Sequence, residues 1–203
     1  MTLNDTVDIK IAAHLWPRWA RIAIDGALDA RRARSRAGEA TTPAAESAAL
    51  DDEFDASLIA VAASAATLEA LCGSLVVREV VAGQKLGESQ PAKIRESLKR
   101  VFVSRPFNDG WTSKFDWLYD LRDPAIHHRE EPKKTVPHRS LGVHTGPEFV
   151  HYSTESADEA VQLMLDVLRW CVDNPKPAVP AARKWADANE QVVANLESRW
   201  QPA

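Results

Sequence analysis

The chain has 203 residues, enough for one domain with a sizeable core and short for two. Its 45% hydrophobic and 27% charged residues, with mean hydropathy -0.31, exclude a disordered polymer. A net charge of -4 argues against nonspecific coating of nucleic acid, while leaving room for a local basic site. Cys72 and Cys171 both fall in apolar helical patterns and read as reduced core thiols. The opening "MTLNDTVDIK" lacks the basic-then-apolar order of a secretion signal. The chain is therefore expected to be cytoplasmic, with no membrane partner.

In chain order, a first helix is expected from Asp8 to about Arg36, restarted at Pro17, a residue suited to a first turn. A loop follows over 37–48, rich in Gly, Pro, Thr and Ser. The second helix has the clearest pattern: Phe54, Leu58, Val61, Ala65, Leu68, Cys72 and Leu75 alternate by four and three into one seam. Beside it, Ala63, Ala66, Ala70 and Gly73 are small enough to admit a neighbouring helix closely. Glu69 interrupts this apolar run, which favours a buried bundle helix over a membrane span.

A third helix is expected from about Pro91 to Ser104, capped by Ser89, with Ile94, Leu98 and Val101 inward. Lys93, Arg95, Lys99 and Arg100 stay wet. A fourth opens at "NDGWTSKF", where Ser113 and Asp116 have capping-box spacing, and runs through Trp111, Phe115, Leu118 and Leu121. Residues 130–153 read as a non-helical insertion, with a small hairpin from Ser140 to Tyr152. A fifth helix starts at the Ser156/Glu159 capping box, and a last one covers 181–199 with Trp185, Ala188, Val192 and Leu196 on one side. The reading is a mainly α single domain over 1–203: a bundle of five to six helices with one hairpin after the fourth.

Chemistry concentrates in "LYDLRDPAIHHRE", Leu118 to Glu130. Arg122 continues the inward line of Phe115, Leu118 and Tyr119, and burying a guanidinium requires an anionic partner. Asp123 and His127 are four apart, so the carboxylate is placed to orient the imidazole. Pro124 denies the carbonyl of Asp120 its hydrogen bond and is expected to bend or loosen the helix after Asp123. Such a bend swings His127 or His128 toward Arg122. A fixed cation beside imidazoles suits a phosphodiester.

This segment resembles the signature of the HEPN superfamily of helical nucleotide-binding domains: an arginine, a polar residue, a short spacer and a histidine at the end of an apolar helix. Arg122 matches the arginine, Asp123 the polar position, and His127 or His128 the histidine. Asp stands where Asn is commoner. The resemblance implies a metal-independent endoribonuclease of toxin–antitoxin or antiviral-defence type. It implies no cofactor, an RNA substrate, a homodimer with two motifs apposed, and a cognate antitoxin as a further partner. In that mechanism Arg122 holds the scissile phosphate, His127 transfers protons and Asp123 sets the tautomer. The competing reading is a non-catalytic helical interaction or dimerisation module, in which the same residues knit the bundle together.

Basic residues elsewhere invite the same question. "RRARSR" supplies Arg31, Arg32 and Arg34, and the third helix supplies Lys93 and Arg100, as candidate RNA-backbone contacts or as solvated helix surface. Five histidines, His127, His128, His138, His144 and His151, crowd into 25 residues, but no pair on one helix has metal-ligand spacing, so no metal is expected. The tryptophans read mainly as core.

Overall fold

The computed structural model describes residues 15–103, 109–126, 134–137 and 144–201. Eight helical segments occur among them: α1 (Trp16–Glu39), α2 (Pro43–Cys72), α3 (Leu75–Val81), α4 (Gln90–Val101), α5 (Asp109–Ile126), α6 (Pro147–His151), α7 (Thr154–Asp173) and α8 (Pro180–Trp200). The mainly helical bundle expected from periodicity is the architecture observed. Two short segments raise the helix count: Gly73 and Ser74 break α3 away from α2, and α6 is a helix of five residues.

The bundle is built around α2, which packs against α1, α5 and α7. Its buried residues, among them Ala60, Val61, Ala63, Ala65, Leu68 and Leu71, leave little of its circumference to solvent. By length and composition α2 would span a membrane, yet 56% of its most apolar window is buried inside the bundle. Phe54 and Leu58, expected in the central seam, are only half-buried at its edge. Helix α1 meets α2 through a stripe of small residues, Ala20, Ala23, Gly26, Ala27, Ala30 and Ala33. A Cβ on Gly26 would stand 3.0 Å from the Ala56 carbonyl oxygen and 3.1 Å from the Ala60 nitrogen. The two backbones are therefore in near contact, a spacing that only small side chains permit.

The helix boundaries follow local capping chemistry. The loop expected over 37–48 shrinks to residues 40–42, because Thr42 Oγ1 accepts from the Ala45 amide at 3.3 Å and Pro43 occupies the first turn. Ser89 caps α4 as expected, accepting from Ala92 at 3.3 Å. Ser113 lies inside α5 and Ser156 inside α7, so neither heads a capping box. The N-terminus of α7 is served from a distance: buried Glu53 on α2 accepts from the Thr154 amide and hydroxyl, both at 2.8 Å. Lys176, between α7 and α8, donates to the Arg100 carbonyl at 3.2 Å and also to that of Lys99, closing the C-terminus of α4.

The hairpin differs from expectation. Its described strands are β1 (Val136–Pro137) and β2 (His144–Thr145), paired antiparallel, and Phe149 and Val150 belong to α6 instead. Pro147 in the first turn of α6 explains the change, since it pre-sets helical φ just after Gly146. On α8, Val193 is buried and Ala188 exposed, so the buried face runs through Ala182, Trp185, Ala186, Val193 and Leu196. Five aromatic rings form a continuous line through this side of the core. Trp16 meets Trp185 at 5.9 Å, Trp185 meets Phe102 at 5.6 Å, and Phe102, Trp170 and Trp111 continue at 5.9 Å steps.

Candidate functional site around Arg122

Arg122 lies near the end of α5, with its apolar neighbours Phe115, Leu118 and Tyr119 buried against the core. That alignment turns the guanidinium toward α2, where Glu69 meets it. The Arg122 Nη2 to Glu69 Oε1 distance is 3.3 Å, and Nη1 donates to Asp123 Oδ1 at 2.9 Å. Arg122 retains 24% of its side-chain exposure and Glu69 27%, so the pair straddles the protein surface. A guanidinium carries five N–H donors, and these contacts engage one on each terminal nitrogen.

Partial burial disfavours the Arg122 charge, but the Asp123 hydrogen bond and the charges of Glu69 and Asp123 outweigh it and raise its pKa above the ordinary arginine value. Glu69 also disfavours the anionic forms of two neighbours, Tyr119 and Cys72. Burial, reinforced by Glu69, lifts the Tyr119 hydroxyl and the Cys72 thiol well above their usual ranges, so both stay protonated at neutral pH. Tyr119 donates to the Ala65 carbonyl at 3.4 Å. Burial likewise raises Cys171. Neither cysteine is a thiolate nucleophile, and both are free.

Helix α5 persists through Pro124 to Ile126. Next to the Asp120 carbonyl that Pro124 cannot serve, the Leu121 carbonyl accepts from the Tyr152 hydroxyl at 2.7 Å. On this flank Asp120, Leu121 and Pro124 line a groove of about 460 Å³, closed by Phe54, Glu148, His151 and Tyr152. At about 100° of rotation per residue, Pro124 lies on the far side of α5 from Arg122. The groove and the guanidinium thus occupy different faces of one helix.

Of the residues singled out in the sequence, Arg122 and Asp123 are brought together, and Asp123 spends its described hydrogen bond on Arg122. His127 and His128 lie outside the described residues, as do His138 and Arg105. His144 is described only as backbone in β2, and His151 is exposed on α6. No group of three potential metal ligands occurs among the described residues.

The basic run of α1 is tied into the bundle. Arg31 pairs with Asp158 at 3.0 Å and lies 4.2 Å from the Trp200 ring centroid. Arg32 pairs with Asp29, Arg34 with Glu53 and Glu155, and Arg36 with Asp52. On α4, Lys93 and Arg100 are exposed, and Arg100 donates to Gln84. Arg95, expected in solvent, is instead half-buried against Asp116 at 2.8 Å. Sequence reasoning missed Glu69 and Glu53 as partners. The signal was present in both cases: a carboxylate inside an apolar helix needs a cation from a neighbouring element.

The class defined here is a mainly helical bundle carrying an oriented arginine at a proline-containing helix end. No family model, curated protein or solved structure matches the chain.

Proposed function

We propose that this chain is a HEPN-like, metal-independent endoribonuclease domain acting in the cytoplasm as a homodimer. The observation carrying the reading is Arg122, a permanently charged guanidinium set between Glu69 and Asp123 yet a quarter exposed, one turn before α5 ends. A cation oriented in advance stabilises charge developing on a phosphate without reorganising during the reaction. The anionic guest must displace Asp123, which is 63% exposed, while Glu69 keeps the guanidinium in place. His127 or His128 then removes the 2′-hydroxyl proton as that oxygen attacks phosphorus. An imidazolium protonates the departing 5′-oxygen, leaving a 2′,3′-cyclic phosphate and a 5′-hydroxyl end.

The test is cleavage of single-stranded RNA in excess chelator, with the ends identified by mass. Wild type is expected to produce cyclic-phosphate ends, and Arg122→Ala to slow cleavage by about 10²–10³-fold. His127→Ala and His128→Ala determine which imidazole works. RNA left intact by wild type, or cut equally fast by Arg122→Ala, overturns the proposal.

A second reading is favoured by the same ion pairs. Glu69 and Asp123 neutralise Arg122, and the basic run of α1 pairs with Asp158, Asp29, Glu53 and Asp52. In that case the domain is a non-catalytic interaction module, and Arg122→Ala lowers the melting temperature with no RNA cleavage in either protein.

A further inference from the structure

Leu15, the N-cap of α1, and Trp19 and Ile22 on the helix follow one another by four and three, and Ile59 faces the same side from α2. These are the large hydrophobic side chains classed as exposed among the described residues, each between 39% and 53% accessible. Ile22 and Ile59 flank a valley of about 470 Å³ running along the outside of the α1–α2 pair. The close backbone approach at Gly26 forms its floor, so the valley is shallow and open along its length.

Both sides carry carboxylates. Asp25 and Asp29 stand on α1, Asp52 and Asp55 on α2, and Arg36 is the cation among the lining residues. Asp25, Asp29 and Asp52 have arginine partners in Arg199, Arg32 and Arg36. These are exposed pairs, which a competing cation exchanges at little cost. Asp55 has no ion-pair partner among the described residues.

We propose that this valley receives an amphipathic helix of another protein, with an apolar stripe between basic flanks. The argument is one of shape and charge. On α2, Asp52, Ala56 and Ile59 repeat the four-and-three spacing of Leu15, Trp19, Ile22 and Gly26 along α1 and its N-cap, so the two helices offer parallel ridges to a third. From Ile22 to Arg36 the lined stretch spans about 21 Å, or four turns of a bound helix. Counted with their arginine partners, the four carboxylates outnumber the cations Arg32, Arg36 and Arg199 by one, an excess centred on Asp55 that disfavours a phosphate backbone, an anionic membrane or a second copy of the same net-negative face. The inference is independent of the RNA reading, because Arg122 takes no part in it.

The probe is a synthetic peptide of three heptads with Leu at the two apolar positions and Lys at the flanking ones, compared with its Glu-flanked counterpart. Binding to the full chain is followed by calorimetry, and by the change in tryptophan fluorescence that a Trp19→Phe variant loses. The Lys peptide is expected to bind at least about tenfold tighter than the Glu peptide. Ile22→Asp/Ile59→Asp is expected to weaken it by at least about tenfold without changing the circular dichroism, since both side chains are exposed. Asp52→Lys/Asp55→Lys should invert the preference, a second readout that does not depend on the isoleucine variant. Absent binding, equal binding of the two peptides, or indifference to the isoleucines overturns the proposal. So does a concentration-dependent dimer that Ile22→Asp/Ile59→Asp dissociates, which assigns the face to a second copy.

Discussion

Removing the Glu53 carboxylate is expected to cost more than any other single change on the polar side of this fold. Glu53 is 2% exposed and accepts four hydrogen bonds. Arg34 Nε and Nη2 each donate at 2.9 Å, and the Thr154 amide and hydroxyl each donate at 2.8 Å. One side chain thereby ties α1, α2 and the first turn of α7 together. Glu53→Ala leaves the Arg34 guanidinium, 16% exposed, with Glu155 at 3.3 Å as its described partner, and strips the acceptor from the α7 terminus. Breaking a buried ion pair from one side costs about 3–5 kcal/mol, and the surviving Glu155 contact places this case near about 3. For a chain of this size that corresponds to a melting temperature lower by about 6–12 °C. Glu53→Gln separates charge from shape. It can keep the Thr154 contacts but turns amide N–H groups against Arg34 donors, so it too is destabilising. Removing both charges in Arg34→Met/Glu53→Leu is expected to recover much of the loss, because no ion is left buried alone. Urea denaturation and calorimetry on wild type, this double variant and its two matching single variants, Arg34→Met and Glu53→Leu, measure the coupling directly. A melting temperature within about 2 °C of wild type for Glu53→Ala would refute the reasoning.

Two further predictions concern packing and pH. Gly26→Ala gains up to about 1 kcal/mol of helix propensity but forces the α1 and α2 backbones apart, an overpacking cost of about 1–3 kcal/mol. The net expectation is destabilisation, read from the urea midpoint; a more stable variant would show that the helices yield freely. For Asp158, burial raises the carboxyl pKa above its ordinary 3.8 despite the opposing hydrogen bond and charge of Arg31. Between 3.8 and the raised value the folded protein holds a proton that the unfolded chain has released. The contribution of Asp158 is thus fully present below 3.8 and lost as pH rises through the folded value. Relative to Asp158→Asn, wild type should lose stability across that rise in denaturation curves. A relative gain would mean that Arg31 outweighs burial.

Much of the bundle was legible because apolar spacing in α4, α5 and α7 is set by which face meets the core. Ile94, Leu98, Phe115, Leu118, Val161, Met164 and Leu168 are all buried as their periodicity requires. The inward aim of Arg122 followed from the same rule, and with it the need for an anionic partner. Helix starts were less legible. Ser113 and Ser156 have capping spacing, yet α5 and α7 begin upstream, and the α7 start answers to Glu53, 101 residues away in sequence. A cap supplied from another helix leaves no local pattern.

By itself, then, the sequence determined a mainly helical chain, the apolar faces of its helices and the placement of a cation among hydrophobic neighbours. These follow from local chemistry: backbone propensity, side-chain periodicity and the cost of burying charge. Tertiary structure alone decided which charges meet. Glu69 reaches Arg122 and Glu53 reaches Arg34 and Thr154 across gaps of many residues. It also decided that Trp19, Ile22 and Ile59 stay on the outside of α1 and α2. Pairings between helices depend on how their ridges interlock in space, and no stretch of one helix encodes its neighbour's position.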